Sequence, residues 1–508
     1  MLRARFGHQA FLPGQEAVLA ALLEGRDALA VMPTGAGKSL LYQLPAAMGF
    51  SPVVVVSPLI SLMRDQLRSL ARSGVAAVAL HSGQSDEEQS EAIASLAGGR
   101  ARLVYLAPER LSHDGTVELL RAARVALLAV DEAHCVSHWG HEFRPDYARL
   151  GEIAARLGAP VLAVTATAGP RTRADIIASL FSREPAVFVS SFARPNLRLS
   201  FVPRADALGR LTRFLRRRPG LSGVVYVNSR RKANETAATL RRLGFDALAY
   251  HAGLDAATRA AHQDAFFARA GVVMVATIAF GMGVDKKDVR FVVHADLPDS
   301  IEAYYQEIGR AGRDGRAADA LALFDPRELA ARLGFAPPPD DPVAAGETER
   351  RRAMARLCLT PSCRFQALLA AFGEESGGCG GCDNCRGGLL ALPRRAGLVA
   401  LAWRVAVLAR FAGAGAESVD EPLETAPIPA AAPGLAPEGK EEALSVADER
   451  LYRELIRLRL DIAKRRRLAP RGVASDAVLR RLAITRPRAL EDEIVIGVEE
   501  FLRAIAED

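Results

Sequence analysis

The sequence lacks the features that mark membrane and secreted proteins. No apolar run is both long enough and free of charge to span a bilayer, and residues 1–8 do not have the pattern of a signal peptide. Cysteine is scarce, with six in 508 residues, and aromatic residues make up only 6%. We therefore expect a cytoplasmic chain without a membrane partner, in which clustered cysteines bind metal rather than form disulfides.

The chain does contain enough apolar sequence for several cores. Half of its residues are hydrophobic, and a length of 508 residues predicts three or four domains. The formal net charge of +7 is mildly basic. That charge is compatible with a polyanionic partner such as nucleic acid and equally with an ordinary solvated surface, so it does not choose between them.

A glycine-rich stretch between a predicted strand and a predicted helix is the strongest local motif. It follows the apolar run Ala28–Val31 and precedes Leu40, which begins a segment with helical spacing. The backbone N–H groups of such a loop, together with the helix dipole, cradle phosphates. Lys38 can reach the terminal phosphates and the Ser39 hydroxyl can ligate Mg²⁺, although Met32 replaces the usual first glycine. The predicted nucleotide-binding residues are Met32, Pro33, Thr34, Gly35, Ala36, Gly37, Lys38 and Ser39.

Strand-like apolar runs alternate with helical patterns in two successive regions, residues 1–195 and 196–335. This alternation predicts two α/β domains, each a parallel sheet covered by helices. Only the first region has a phosphate loop, so we expect the nucleotide to lie in a cleft between the two. The predicted strands are Ala28–Val31, Val53–Ser57, Ala76–Leu80, Leu103–Ala107, Val125–Val130, Val161–Thr165, Gly223–Val227, Ala247–Tyr250, Val272–Ala276, Phe291–His294 and Ala320–Phe324.

Polar residues follow the last two of these strands in the first region. Asp131 is placed to hold Mg²⁺ through water, and Glu132 can orient and deprotonate the attacking water. A solvated loop would carry the same residues, but the phosphate loop in the same region favours catalysis. The hydroxyls of Thr165 and Thr167 can relay the nucleotide state to a bound polymer, although a plain strand end would look the same.

The second region contains a charge-rich box from Tyr304 to Gly315. Arg310 and Arg313 lie three residues apart in it, so we expect them to share one face of a helical turn. Projected across the cleft, they can stabilise charge on the γ-phosphate in transit. The alternative is a surface salt-bridge pair, which the phosphate loop of the first region makes less attractive.

Together these motifs resemble those of superfamily 2 helicases. Further stretches resemble the RecQ DNA helicases specifically: Phe6–Gln15, Ser57–Gln66, Ala107–Leu111 and Tyr304–Gly315. The resemblance covers about residues 1–390 and implies two tandem RecA-like domains. It also implies individual roles in binding ATP or DNA. Gln15 would pair with the adenine base and Asp285 would lie near the ribose, while Arg230 and His251 would grip the DNA backbone.

The segment directly after the two carboxylates is rich in aromatic residues and histidine. Aromatic faces stack on bases, each worth about 1–3 kcal/mol, and an arginine adds a phosphate contact or cation–π stacking. Such a loop can couple DNA binding to hydrolysis, the role that the RecQ resemblance gives it. Ordinary core packing is the alternative, but an aromatic loop with glycine makes a poor core segment. The predicted coupling residues are His134, His138, Trp139, Phe143 and Arg144.

Four cysteines cluster in residues 336–392, which are predicted to form a separate module. The thiolates of Cys363, Cys379, Cys382 and Cys385 suit a tetrahedral Zn²⁺ site. An iron–sulfur cluster is the rival, since C-x₂-C-x₂-C spacing also occurs there. RecQ proteins carry a zinc module of this layout at this place, so the resemblance implies structural zinc.

The resemblance weakens after Cys385. Residues 393–445 contain an apolar, arginine-rich segment and a stretch rich in Ala, Pro, Gly and Glu that is typical of a disordered linker. This leaves too little chain for the winged helix that RecQ proteins commonly use to separate strands. Residues 446–508 are predicted to be helical, with one apolar and one basic face, like a shortened helicase-and-RNase-D C-terminal domain. A plain helical bundle fits them equally well.

The resemblance implies an ATP-dependent DNA helicase that moves 3′ to 5′ on single-stranded DNA and unwinds duplexes in recombination or repair. Its cofactors would be ATP, Mg²⁺ and Zn²⁺. Its partners would be single-stranded and forked DNA, with a single-stranded-DNA-binding protein as a further candidate, and it would associate with the nucleoid. The alternatives are a DNA-stimulated ATPase that does not unwind efficiently, because the winged helix is missing, and an RNA helicase, against which the aromatic loop and the cysteines argue.

Overall fold

The computed structural model describes residues 1–58, 60–112, 114–137, 144–281, 286–335, 341–386, 451–452, 454–458 and 479. The chain divides into two compact units, residues 1–332 with 337–402, and residues 333–336 with 403–508. In the second unit the described residues 451–452 and 454–458 are helical, and Leu451 and Leu455 are buried. The remaining predictions for residues 393–508 lie outside the described residues.

The first unit begins with a seven-stranded parallel sheet in the order β3-β4-β2-β5-β6-β1-β7. Its central strands are buried on both faces, as the continuous apolar runs predict. We call this sheet and its helices the first lobe. The strands are β1 Ala28–Val31, β2 Val53–Val56, β3 Ala77–Leu80, β4 Leu103–Leu106, β5 Leu127–Val130, β6 Val161–Thr165 and β7 Ala186–Val189, and the helices are α1 Leu2–Phe6, α2 Gln15–Leu23, α3 Leu40–Met48, α4 Ile60–Arg72, α5 Asp86–Ala97, α6 Asp114–Ala122, α7 Leu150–Leu157 and α8 Pro170–Leu180.

A six-stranded parallel sheet follows, in the order β10-β11-β9-β12-β13-β8. We call it and helices α9–α12 the second lobe. Several of its helices begin at a Ser or Asp whose side chain accepts a backbone N–H of the first turn, as Ser229 does for α10. The strands are β8 Leu197–Pro203, β9 Gly223–Tyr226, β10 Ala247–Tyr250, β11 Val273–Ala276, β12 Phe291–His294 and β13 Ala318–Phe324, and the helices are α9 Ala207–Arg216, α10 Arg230–Arg242, α11 Ala256–Ala268 and α12 Ile301–Ile308.

The predicted fold class is confirmed, with each of the predicted strands present and its ends within two residues of the predicted ones. Strands β7 and β8 were not predicted. Both lie at sheet edges, where one face meets solvent and the apolar run is interrupted. Val187 and Val189 of β7 are each 45% exposed, so this strand has no buried run to announce it.

The segment that follows the second lobe packs against its edge strand β8. It contains α13 Pro326–Gly334, α14 Pro342–Leu359 and α15 Arg364–Ala370, and we call residues 341–386 the cysteine module. Asp383 joins the module to β8: its carboxylate accepts the Phe201 N–H at 2.6 Å, and its own N–H donates to Leu199 O at 2.8 Å. Glu374 accepts from Ser191 Oγ and Phe192 N, each at 2.6 Å, and so holds the linker of residues 190–196 between the lobes.

Within the described part of the chain, no helix has the length and apolar character needed to cross a bilayer.

Candidate active site

The glycine-rich loop lies at the carboxyl end of β1 and leads into α3. Gly35 and Gly37 have φ of +86° and +69°, in the left-handed region that favours glycine. A Cβ on Gly37 would also come within 2.6 Å of the Gln15 side-chain nitrogen, so this position has no room for a side chain. The Ser39 side chain does not cap α3; instead the first N–H groups of the helix donate to backbone carbonyls of the loop, as the Leu40 N–H does to Gly37 O at 3.1 Å.

The side chains of Gln15 and Lys38 are both bonded to the loop backbone. Gln15 is buried; its amide oxygen accepts the Leu12 N–H at 2.9 Å, and its amide nitrogen donates to Ala36 O and Gly37 O at 3.0 and 3.1 Å. The Lys38 ammonium donates to Met32 O at 3.1 Å. Burial lowers the pKa of Lys38, while the charges of Glu132 and Asp131 oppose that shift. The sequence predicted both residues for the site, and the structure brings both to the loop.

Asp131 and Glu132 follow β5 beside this loop. Glu132 has φ of +49°, a left-handed conformation that is uncommon for a residue with a side chain and is typical of functional sites. Burial, and then the neighbouring charge of Glu132, raises the pKa of Asp131 to about 7. Burial also raises the pKa of Glu132, against the opposing charges of Lys38 and Arg310. Two buried carboxylates of this kind fit a divalent cation, whose charge would offset the cost of ionising both.

A chain of polar contacts runs from Glu132 towards the second lobe. The His134 Nδ1 atom lies 3.4 Å from a Glu132 carboxylate oxygen and 3.0 Å from Thr165 Oγ1. Burial lowers the pKa of His134 to about 3, so its ring is neutral. Thr165 Oγ1 in turn accepts the Thr167 N–H at 3.2 Å. The sequence predicted roles for His134, Thr165 and Thr167, and the structure connects all three to the carboxylates through these contacts.

The charge-rich box of residues 304–315, which we call the arginine box, reaches this chain of polar contacts from the second lobe. Gln306, in α12, donates to Thr167 Oγ1 at 3.3 Å and so links the lobes directly. Arg310 is buried and donates to Gly281 O, and its charge acts on Glu132, while the charge of Arg313 acts on Lys38. One prediction is wrong: the two arginines do not share a helical turn, since α12 ends at Ile308 and both lie in the tight turns that follow.

The linker holds these turns in place, which the sequence did not suggest. Arg194 donates to Ala311 O at 2.9 Å and to Gly312 O at 3.2 Å, and Asn196 donates to Gly312 O at 2.8 Å. Gly312 has φ of +62°, and a Cβ there would lie 2.5 Å from the Asn196 amide nitrogen. The glycines of the arginine box, together with polar residues in a linker, were the available signal for this contact.

The four clustered cysteines come together in the cysteine module. Their sulfur atoms all lie within 4.8 Å of one another. Backbone N–H groups point at the sulfurs: Cys379 N lies 3.3 Å from Cys363 Sγ, and Arg364 N lies 3.4 Å from Cys382 Sγ. N–H groups directed at sulfur favour thiolates, and four thiolates at this separation fit a tetrahedral Zn²⁺ ion. Cys135 and Cys358 are buried elsewhere and take no part in this cluster.

Comparison with known proteins agrees with both sites. A DEAD/DEAH box helicase model matches residues 12–176, a helicase conserved C-terminal domain model matches 206–315, and a RecQ zinc-binding model matches 338–386. ATP-dependent DNA helicase RecQ of Pasteurella multocida is 43% identical over 388 residues, covering 76% of this chain and 61% of the relative. The protein of the same name from Haemophilus influenzae is 42% identical, covering 76% and 63%. The chain belongs to the RecQ family.

The chain spans about three fifths of the length of these RecQ relatives. Solved structures share the fold. The Mycobacterium smegmatis helicase Lhr bound to ssDNA and AMP-PNP aligns with a TM-score of 0.51 at 21% identity, over 72% of this chain and 52% of that one. The S. cerevisiae protein Dbp5 bound to RNA and ADP BeF3 aligns with a TM-score of 0.51 at 17% identity, over 70% and 90%.

The RecQ zinc-binding match and the sulfur geometry together identify Zn²⁺ as the metal of the cysteine module, against the iron–sulfur alternative. The helicase match supports ATP and Mg²⁺ as the ligands of the cleft. The zinc, when bound, would be held by Cys363, Cys379, Cys382 and Cys385 and would supply structural stability.

The residues predicted to contact DNA are only partly described. His251 is buried on the loop after β10, where its Nε2 donates to Asn234 Oδ1 at 3.1 Å. It lies beside Gly253, and a Cβ on that glycine would touch Arg230. Arg144 donates to Pro58 O at 3.3 Å. His138, Trp139, Phe143 and Asp285 lie outside the described residues.

Proposed function

We propose that this chain is an ATP-dependent DNA helicase that translocates 3′ to 5′ along single-stranded DNA and separates duplex strands. The RecQ relatives, at 42–43% identity, are named ATP-dependent DNA helicases. The direction of movement rests on the family resemblance. The observation that carries the proposal is the contact between the lobes: Gln306, four residues before Arg310, donates to Thr167 Oγ1 of the first lobe at 3.3 Å. The charges of Arg310 and Arg313 act in the same direction, on Glu132 and Lys38.

Each charged side chain of the cleft has a role in this proposal. Lys38 would leave its backbone acceptors to bind the terminal phosphates, and Ser39 and Asp131 would hold Mg²⁺. Glu132 would orient the attacking water and accept its proton. Arg310 and Arg313 would stabilise the charge of the γ-phosphate during transfer, so hydrolysis would require the two lobes to be closed.

The remaining predictions extend this proposal to the whole chain. The base and ribose would contact Gln15 and Asp285. The nucleic acid would contact the predicted coupling residues, Thr165 and Thr167, and Arg230 with His251. We retain the domain bounds 1–195, 196–335, 336–392, 393–445 and 446–508. Cytoplasmic and nucleoid placement, and a single-stranded-DNA-binding protein as partner, belong to the same proposal.

The proposal is tested by unwinding of a forked duplex with ATP and Mg²⁺, measured together with DNA-stimulated ATP turnover. Lys38→Ala should abolish both activities. Arg310→Ala and Arg313→Ala should each lower turnover by about 10³-fold or more, the scale for an arginine that stabilises a transferring phosphoryl group. Arg316→Ala is the matched control, because Arg316 directly follows the same box and is exposed.

The outcomes separate the candidate functions. Turnover that survives Lys38→Ala would place the nucleotide site elsewhere and refute the proposal. DNA-stimulated turnover without strand separation would identify a translocase or remodelling ATPase instead of a helicase. Stronger stimulation by single-stranded RNA than by single-stranded DNA would identify an RNA helicase.

A further inference from the structure

A second concentration of positive charge lies on the second lobe, apart from the residues of the ATP cleft. A groove of about 480 Å³ runs between α9 and the sheet edge formed by β13 and β8. We call it the α9 groove. Apolar side chains of the two strands, including Val202 and Leu321, form part of its lining. Its charged lining residues among those described are Arg210, Arg213, Arg217, Arg218, Arg386 and Asp319.

Within the described part of the chain, Arg218 is the one groove arginine with a carboxylate partner. Arg218 pairs with Asp319 at 2.7 Å and lies over the Phe214 ring at 3.6 Å. Among the described residues, no other carboxylate lines the groove, and none of them accepts a hydrogen bond from the buried Nε of Arg210. Five guanidinium groups and one carboxylate give the groove a formal charge of +4. A concave surface with uncompensated charge of one sign concentrates ions of the opposite sign.

The helix dipole does not explain this arrangement. Cations in the last turn of a helix are stabilised by the carbonyl ends, which accounts for Arg213 and Arg216. It does not account for Arg210, which lies in the first half of α9, or for Arg386, which comes from the cysteine module and donates to Ser200 Oγ at 2.8 Å. The sequence also contains no Asp or Glu from residue 207 to residue 234, so the basic character extends beyond the groove.

The spacing of the arginines fits a repeating anion. Arg210 and Arg213 stand at i and i+3 on α9, and Arg217 directly follows its last residue, so the three line the groove over roughly 10 Å at about 1.5 Å per residue. The phosphates of one DNA strand repeat every ~3.4 Å along the duplex axis, so roughly three of them span that length. Guanidinium groups bind phosphate oxygens in pairs, which favours arginine over lysine for this contact.

We propose that the α9 groove binds the phosphodiester backbone of DNA, as a contact site separate from the cleft and without reading the bases. The inference rests on the proposed function only in taking DNA as the substrate. Free inorganic polyphosphate offers the same chemistry, and the experiment distinguishes the two sources.

The test measures binding of a labelled 3′-tailed duplex to the full chain, without nucleotide, by fluorescence anisotropy at several salt concentrations. Each phosphate contact contributes about 0.7–0.9 to the slope of log K against log salt. The triple variant Arg210→Ala, Arg213→Ala, Arg217→Ala should therefore reduce that slope by about 2. The corresponding triple lysine variant should keep most of the slope, since it keeps the charges.

Arg216→Ala is the matched control, because Arg216 is exposed on the same helix but does not line the groove. Its slope should match that of the parent protein. Basal ATP turnover without DNA should be the same in all variants, which also verifies that they are folded. A chain that binds DNA with the predicted slope change but does not unwind it would support the groove and refute only the proposed function.

Three results would overturn the proposal. The triple alanine variant could have the parent slope, or Arg216→Ala could reduce the slope as much per charge as the groove variants do. The third result is a thermal stabilisation by tripolyphosphate that the triple alanine variant loses while its affinity for DNA stays unchanged. That result would assign the groove to free polyphosphate.

Discussion

Asp131 of the first lobe and Asp296 of the second lobe are both buried near the carboxyl end of a central parallel strand, but their surroundings differ. Asp296 accepts from Arg204 at 2.8 Å, from Lys232 at 2.9 Å and from the Asn228 N–H at 3.1 Å. Its charge is therefore paired by cations of its own lobe. Such a carboxylate serves the fold.

Asp131 and Glu132 of the first lobe have no such cation partner among the residues that the structure describes. Among the described residues, no lysine or arginine lies within 4.0 Å of Asp131 or Glu132, and the pKa of Asp131 rises to about 7. The nearest charges act at longer range, from Lys38 and from Arg310 of the other lobe. A buried charge without a direct partner is costly. Binding of Mg²⁺ would offset that cost, so the two carboxylates favour a divalent cation.

Helix α3 of the first lobe and helix α10 of the second lobe also begin differently. In the second lobe the Ser229 hydroxyl accepts the Lys232 N–H at 3.2 Å and satisfies the start of α10. In the first lobe Ser39 does not cap α3. The second lobe thus begins α10 with a side-chain cap, while the first lobe begins α3 with backbone hydrogen bonds to the glycine-rich loop, such as Leu41 N–H to Lys38 O at 3.0 Å. The two lobes thus share a parallel-sheet architecture but differ in how their buried carboxylates and their helix starts are satisfied.

Zinc removal should have the largest effect of the predicted changes, and it should destabilise the second lobe while leaving the first lobe intact. Structural zinc contributes about 10–16 kcal/mol of apparent binding free energy in small domains, and here it would secure the module that bonds to β8 through Asp383. Chelation or Cys382→Ser should remove hydrogen-exchange protection from β8 while β5 of the first lobe stays protected. Cys358→Ser, in a buried thiol outside the cluster, is the control. Equal loss in β5 and β8 would mean that the module supports both lobes.

Glu132→Gln should lower ATP turnover by about 10³-fold, within the 10²–10⁴ range for a general base. Nucleotide binding should be retained, because the amide keeps the size of the side chain and removes a buried charge. Single-turnover hydrolysis and equilibrium nucleotide binding measure the two effects. If Asp296→Asn lowered turnover as much per folded molecule, the distinction between the carboxylates of the two lobes would fail.

Asp296→Asn should instead destabilise the protein by about 2 kcal/mol, measured as the shift in urea unfolding of the second lobe. Removing one member of a buried ion pair costs about 3–5 kcal/mol. The smaller figure applies because Arg204 and Lys232 are each about one-third exposed and regain water. Exposed Asp299→Asn is the control. An unchanged unfolding free energy would show that the three contacts to Asp296 do not stabilise this lobe.

The sequence predicted the sheets well because their central strands are continuous apolar runs, and it predicted the cysteine cluster because ligand spacing is local. It also suggested Asp131, Glu132 and His134 from their position after a strand. The edge strands β7 and β8 were missed because half-exposed strands lack that signal. The contacts of Arg194, Asn196 and Gln306 were missed for another reason: each joins residues more than a hundred positions apart, which no local pattern reports.

The last predicted effect is a pH dependence of stability that arises from Asp131. Asp131 has a pKa of about 7 when folded and about 3.8 when unfolded, so between these values the folded chain holds the extra proton and the Asp131 contribution to stability falls as pH rises. His134, whose pKa is lowered to about 3, contributes in the opposite direction below about pH 6.5 and hides the slope in the parent. The difference in unfolding free energy between Asp131→Asn and the parent should therefore increase in favour of the variant, by up to about 1.4 kcal/mol per pH unit from about pH 4 to 7. Urea unfolding across that range, without nucleotide or Mg²⁺, measures it. A difference that stays constant with pH would mean that Asp131 is ionised throughout, and hence paired as fully as Asp296.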